Sequence, residues 1–299
     1  MGLRGVMLSG ASWNGYARAV LAGVAISGVA AGDASAQGWS ATVVREVEPE
    51  RAPAPATVKP GQAAHFEVWT GGEAAPGSLA GASSSSYWSI WSGITWAPFG
   101  SVRDTGWRLR AAGGGGRYTY SGALLVNNWP TPTDFQGTSL FAEALAGYQA
   151  QIGIWTLKPF VGVAYQAQRI TPTDPFNPLA GARTGAKAVL ENWFAITPAV
   201  WASVDGSWTS IYNGVWSRGR LGVRVLRDYV PDLSIGPEIS AFADQSRDAR
   251  WEPRLTTINA GVFVRYAWER GEITVSGGVS DDHVTALKGY AGGNLLTRF

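Results

Sequence analysis

Residues 218–225 read Arg-Gly-Arg-Leu-Gly-Val-Arg-Val, and their spacing decides the fold. Arg218, Arg220 and Arg224 fall on one parity, and Leu221, Val223 and Val225 on the other. An extended strand sends successive side chains to opposite faces, whereas a helix would scatter these residues around its circumference. One face therefore carries three guanidinium groups and the other only apolar side chains. A basic side chain facing lipid at the bilayer centre costs about 2–4 kcal/mol. Three such costs approach the whole stability of an ordinary domain, about 5–15 kcal/mol. In a membrane, the arginine face must look into a lumen and the Val/Leu face into hydrocarbon.

The same alternation recurs on either side. In 157–168, Leu157, Pro159, Val161, Val163, Tyr165 and Ala167 oppose Lys158, Gly162, Ala164, Gln166 and Gln168. In 182–191, Ala182, Thr184, Ala186, Ala188 and Leu190 oppose Arg183, Gly185, Lys187 and Glu191. Ile258, Ala260, Val262 and Val264 oppose Asn259, Gly261, Phe263 and Arg265, and Ile273, Val275 and Val279 oppose Glu272, Thr274, Ser276 and Ser280. The pattern predicts about twelve strands, near 66–71, 86–97, 105–119, 138–151, 155–170, 182–194, 198–211, 215–227, 233–243, 255–268, 271–280 and 288–299. An even count places both ends of the barrel sequence on the periplasmic side. Connections after even strands are then short turns, and those after odd strands are longer outer loops, such as 120–137 and 171–181. Tyr212-Asn213-Gly214 breaks that rule as an Asn-Gly hairpin turn. The expected architecture is an all-β, antiparallel, up-and-down transmembrane barrel over 65–299. A soluble sandwich or lipocalin-like barrel would also alternate. Its apolar face would be rich in Leu, Ile and Phe rather than Ala, Gly and Val, and its inside would have little use for long basic side chains.

The composition agrees. Of 299 residues 45% are hydrophobic and only 15% charged, with 39 Gly, 15 Trp and no Cys. The charged share is well below the usual quarter. A net charge of +2 and the lack of a basic run exclude nucleic acid as a partner. Without Cys there is no disulfide frame, thiolate metal site or Cys nucleophile. Residues 1–36 read as a cleavable secretory leader: Arg4 and Arg18 flank the apolar run Ala19–Ala31, and Ala34-Ser35-Ala36 forms the small-residue cleavage site. Residues 37–64 contain EPERAPAPATVKP and read as a Pro-rich periplasmic linker. Trp96, Trp129, Trp155, Trp193, Trp208, Trp251 and Trp268 lie near strand ends, where aromatic girdles meet the two membrane interfaces.

Candidate chemistry is sparse. The two histidines are His65 and His283, the latter beside Asp281 and Asp282 in an outer loop. No HExxH or GxSxG spacing occurs. The Gly113–Gly116 run lacks the Lys-Ser/Thr that a phosphate loop needs, and reads as strand glycine. No catalytic residue, metal site or cofactor is expected. What the alternation does supply is a lumen wall of mixed charge: Arg108, Arg110, Lys158, Arg183, Lys187, Arg218, Arg220, Arg224 and Arg265 against Glu143, Glu191, Asp205, Glu238 and Glu272. Phe160, Trp201, Trp216, Phe242 and Phe263 share the lumen parity, and Phe160, Trp201, Trp216 and Phe263 are the candidate sugar-contact aromatics. Such a set can fill the barrel as packing or line a path for sugar rings.

Several segments resemble one known family. They are Gly116–Tyr120, Gly147-Tyr148-Gln149, Pro159–Gln166 (PFVGVAYQ), 174–181 (DPFNPLAG), Gly185-Ala186-Lys187 with Glu191, Ile235–Glu238, and the stretch from Val275-Ser276-Gly277-Gly278 to Phe299. Together they resemble the cellulose biosynthesis protein BcsS family across most of 66–299. The resemblance implies an alphaproteobacterial outer-membrane barrel tied to cellulose synthase operons, assisting export or assembly of cellulose. It carries over no catalytic residues. The leading expectation is a non-enzymatic pore or accessory for β-1,4-glucan secretion in the bacterial outer membrane. Its partners would be lipid, the cellulose chain and periplasmic or inner-membrane synthase components. A general porin or structural barrel is the second reading, and an outer-membrane hydrolase using Asp281, Asp282 and His283 the third.

Overall fold

The computed structural model describes residues 64–76, 85–126, 129–174, 177, 179–225, 232–244, 254–281 and 287–299. The expected leader, the linker up to residue 63, Trp251, Asp282 and His283 lie outside these residues.

Twelve strands follow one another: β1 (Phe66–Ala75), β2 (Ser86–Trp96), β3 (Gly106–Val126), β4 (Trp129–Ile152), β5 (Trp155–Thr171), β6 (Gly181–Phe194), β7 (Val200–Thr209), β8 (Gly214–Arg224), β9 (Leu233–Asp244), β10 (Arg254–Trp268), β11 (Gly271–Asp281) and β12 (Lys288–Arg298). Each pairs antiparallel with its neighbours in sequence, and β1 closes on β12. At the seam Phe66 N–H donates to Phe299 O at 3.0 Å and Phe299 N–H donates back to Phe66 O at 2.8 Å. Closure leaves no unpaired edge around the wall, a condition for any sheet that enters hydrocarbon.

The two faces separate as the alternation requires. Outward side chains such as Val161, Val163, Val262 and Val275 are more than half exposed, while inward Trp201, Phe263 and Arg265 are fully buried. This inverts a soluble protein, and the inversion is stable only if lipid covers the outside. Aromatic pairs ring the end where β1 begins and β12 finishes: Phe66–Trp96, Trp107–Tyr148, Trp155–Phe194 and Tyr266–Trp268, with centroids 5.5–6.1 Å apart. Toward the other end, outward Trp88 pairs with outward, exposed Arg117. From Trp107 to Gly115 the outer face of β3 carries no charge; at about 3.3 Å per residue and a barrel tilt that band is roughly 20–25 Å tall.

The strands fall where the alternation places them, with one exception. Within the expected outer loop at 120–137, residues 120–126 and 129–137 are strand. β3 and β4 stay paired as far as Val126↔Trp129, while their outer neighbours stop at Ser86↔Thr119 and Gln136↔Thr171. A two-stranded ribbon therefore rises from the rim. Pro130 and Pro132 read as loop punctuation, yet beyond Gln136 β4 is an edge strand, where proline is tolerated. The Tyr212 turn also differs from the expected Asn-Gly form. Tyr212 (φ 54°) and Asn213 (φ 47°) take the left-handed positions, and Gly214 opens β8 in extended conformation. Asn213 Oδ1 accepts the Trp208 indole N–H at 2.6 Å, which holds that geometry.

Candidate functional site: the barrel interior

Parity delivers inward side chains, and the barrel's narrow bore forces them together. In the wall formed by β3–β6, Arg110 bonds Glu191 at 2.6 Å and lies over the Phe160 ring at 3.9 Å, and Lys187 pairs with Glu143. Lys158 lies opposite Glu191 in the β5–β6 register and is buried. Leu145, Phe160 and Val189 form a buried cluster against which Trp216, from β8, packs. In the facing wall Arg218 stands 3.8 Å from Asp205 and over Trp216 at 5.3 Å. Arg220 pairs with Glu238 and sits over Phe263 at 5.1 Å. Tyr290 O–H reaches Glu238 at 3.2 Å from β12.

Nearest the end where β1 begins, Trp193 stacks on Trp201 at 4.1 Å, and Trp201 meets Phe263 at 5.3 Å. Arg265 bonds Glu272 at 2.7 Å and lies 5.4 and 5.7 Å from the Trp193 and Trp201 rings. Arg298 stands 3.8 Å from Glu272 and 3.4 Å from Glu67, and the Trp201 N–H donates to Ser234 Oγ at 3.1 Å. Trp193 thus belongs to the interior, not to the expected girdle. Its position two residues after Glu191 placed it inside by parity, and its nearness to a strand end concealed this. Trp96, Trp208 and Trp268 are exposed on the outer face, whereas Trp129, also exposed, stands at the end of the β3–β4 pairing on its inward-parity face and not in the expected girdle.

Both ends of the bore are covered. Arg108 is buried and spends its guanidinium on the backbone of the β2–β3 turn, donating to Trp107 O at 2.8 Å, Ser101 O at 3.0 Å and Asp104 O. Val102 of that turn is buried beneath the barrel, its N–H on Ala64 O at 2.8 Å. At the outer mouth the β5–β6 connection folds inward. Tyr120 O–H donates to Asp174 at 2.7 Å, Asn177 Nδ2 donates to Tyr120 Oη at 3.0 Å, and Leu179 is 1% exposed. Tyr212 O–H caps Leu179 O at 3.0 Å under the Arg183 guanidinium, 4.4 Å above its ring. Burial pushes the Tyr212 phenol up against the pull of Arg183.

The structure therefore brings Arg110, Lys158, Lys187, Glu143, Glu191, Asp205, Arg218, Arg220, Glu238, Arg265, Glu272, Phe160, Trp201, Trp216 and Phe263 into one packed interior. Arg183 and Arg224 share that parity but stand apart: Arg183 is exposed at the mouth, and Arg224 donates to Pro198 O at 2.9 Å at the opposite rim. Phe242 is half-buried in β9. Glu67, Tyr87, Tyr118, Lys288 and Tyr290 also point inward, and only extension of the parity into β1, β2, β3 and β12 would have found them. Buried Arg110 Nε and Nη1, Glu143 Oε1, Glu191 Oε2 and Gln168 Nε2 keep hydrogen-bonding capacity beyond their partners, a chemistry suited to hydroxyl groups.

Residues 69–299, the barrel from its first strand to its last residue, match the family described as cellulose biosynthesis protein BcsS. The chain belongs to the BcsS family. No curated protein matches it. Among solved structures the BcsS barrel is similar to the KdgM porin, at 13% identity over 78% of this chain and 99% of that one, with a TM-score of 0.43. It is also similar to the transport unit of the autotransporter AIDA-I from Escherichia coli, at 8% identity over 81% and 92%, TM-score 0.46. A third is the translocator domain of the autotransporter NalP from Neisseria meningitidis, at 10% identity over 80% and 90%, TM-score 0.45. Family membership ties the BcsS barrel to cellulose biosynthesis.

Proposed function

We propose that this chain is a non-enzymatic outer-membrane accessory of β-1,4-glucan secretion, acting as a closed barrel and not as the conduit for the polymer. In this reading the leader at 1–36 delivers it to the periplasm, the 37–64 linker stays on that side toward synthase components, and the barrel lies in the bacterial outer membrane. The observation that carries the accessory role is contact inside the bore between strands that are not neighbours in the wall. Arg110 of β3 reaches Glu191 of β6, Arg265 of β10 reaches Trp201 of β7, and Tyr290 of β12 reaches Glu238 of β9. Each pair spans three strands. A glucan chain could pass only if these buried contacts parted, and in the Arg110–Glu191 ion pair leaving a buried charge unpaired costs about 3–5 kcal/mol. The balanced charge of the interior also offers no field to select ions of one sign.

Purified protein in planar bilayers tests this directly. Little steady conductance, unaffected by cello-oligosaccharide, is expected. A large conductance blocked by cello-oligosaccharide would make the barrel the conduit, and one indifferent to it would make it a general porin. Deletion of the gene should lower cellulase-digestible extracellular glucan, and unchanged glucan would overturn the link to secretion. His283→Ala with Asp282→Asn should restore that phenotype fully, since no chemistry is assigned to them.

A further inference from the structure

The β3–β4 ribbon has one face that the barrel does not account for. Tyr118, Tyr120, Gly122, Leu124 and Val126 of β3 share the inward parity with Phe135, Thr133, Thr131 and Trp129 of β4. At the base this face is buried in the outer-mouth cluster of Tyr87, Tyr118, Tyr120, Phe135, Ile170 and Tyr290, against which Leu124 packs. Toward the tip it emerges, with Val126 46% and Trp129 76% exposed. From Thr119 to Val126 the ribbon rises with no strand paired to its sides among the described residues for seven residue steps, roughly 23 Å along the strand at about 3.3 Å per residue.

Resting on the secretion reading above, we infer that this face is an extracellular docking strip for the neutral β-1,4-glucan chain, with the Trp129 indole as its exposed platform. Lipid is excluded as the occupant by height. Arg117, exposed on the outer face, marks a level where a cation is tolerated, and Val126 lies nine residues farther out, roughly 30 Å along the strand. A charged ligand is disfavoured by composition, since no residue from Gly122 to Thr133 carries charge. Asp134, just below, is bonded to Ser121 at 2.7 Å on the opposite face. What remains is an uncharged, extended apolar strip bearing the Thr131 and Thr133 hydroxyls. A β-1,4-glucan is uncharged and extended, shows flat C–H faces to aromatic rings, and carries hydroxyls along its edges.

The strip is also pre-organised. An isolated two-stranded hairpin is marginal in water. This one is braced by Tyr120 stacked on Phe135 at 5.0 Å and on Tyr118 at 6.1 Å, and by the hydrogen bonds of Tyr120 to Asp174 and Asn177. A strip already held straight loses little freedom when a chain lies along it.

The test uses the full protein in lipid nanodiscs, sedimented with regenerated amorphous cellulose and titrated with cellohexaose. Wild type should bind independently of salt, Trp129→Ala should bind about tenfold more weakly, and Trp129→Phe should keep most of the affinity. Heat-modifiable mobility of each variant on gels reports that the barrel is folded. Equal binding by wild type and Trp129→Ala overturns the inference. So does binding by wild type to lipopolysaccharide or to a second copy of the chain, but not to cellulose, that Trp129→Ala abolishes. Cells separate this failure from failure of the secretion reading. If deletion leaves extracellular glucan unchanged, that reading falls. If deletion lowers it and Trp129→Ala restores both glucan and binding, the docking strip alone falls.

Discussion

Arg265 is the residue on which the interior turns at the end where β1 begins and β12 finishes. It is fully buried, bonded to Glu272 and flanked by the Trp193 and Trp201 rings. Arg265→Ala would leave the buried Glu272 carboxylate with only the longer Arg298 contact, so a loss of about 3–5 kcal/mol is expected in denaturant unfolding from liposomes. Replacing both partners, with Arg265→Met and Glu272→Leu, should recover most of that loss, because the unpaired charge goes with its partner. Glycine supplies the complementary device. A methyl group on Gly222 would overlap the Trp201 indole, and one on Gly137 would overlap the Tyr118 ring. Gly222→Ala therefore forces the Trp201 stack to shift, and about 1–3 kcal/mol of destabilisation is expected in the same assay. Parity told which way each of these side chains points. It could not tell which groups meet, because partners such as Arg110 and Glu191 are brought together by the curvature of the wall, and curvature leaves no mark on period-two spacing. Nor could it separate Arg108, which clamps a turn, from Arg110, which faces the bore two residues later.

At the scale of the element, β3 and β4 carry the lesson. Their membrane portions were legible in the run from Trp107 to Gly115, where side chains alternate over a charge-free outer face. The projecting portion was not, because Pro130, Pro132 and the small residues around them match the composition of loops, and an edge strand outside the bilayer need not avoid proline. The element depends on Tyr120, which joins the ribbon to the β5–β6 connection. Tyr120→Phe keeps the ring stack and removes the bonds to Asp174 and Asn177, at roughly 1 kcal/mol for a neutral bond and more for the charged partner. The ribbon should persist and the 172–180 connection should loosen. Limited proteolysis of intact cells is expected to cut that connection faster in the variant while gel mobility stays that of a folded barrel. Equal cutting rates would mean that the connection is held without the Tyr120 bonds, by the buried Leu179 and its Tyr212 contact.

The twelve strands form a closed wall with a polar inside and an apolar belt. Substitutions on the outer face should therefore sort by height, not by local contacts. Val262→Arg, at the middle of β10 and 59% exposed, should cost about 2–4 kcal/mol when the protein unfolds from liposomes, whereas Gln136→Arg at the outer rim should be nearly neutral. The twelve-strand order and the family were legible from sequence because both follow from landmarks along the chain. The way the interior side chains pair was not, since the same charged residues could line an open channel or pack against one another. The seam between Phe66 and Phe299 carries a last consequence. Two ends that exchange paired hydrogen bonds across adjacent strands could be spliced by a short peptide without stretching the wall. A circularly permuted gene, opened in the connection between β9 and β10, should then yield the same cylinder, its new ends displayed on the cell exterior as ready-made attachment points for surface tags.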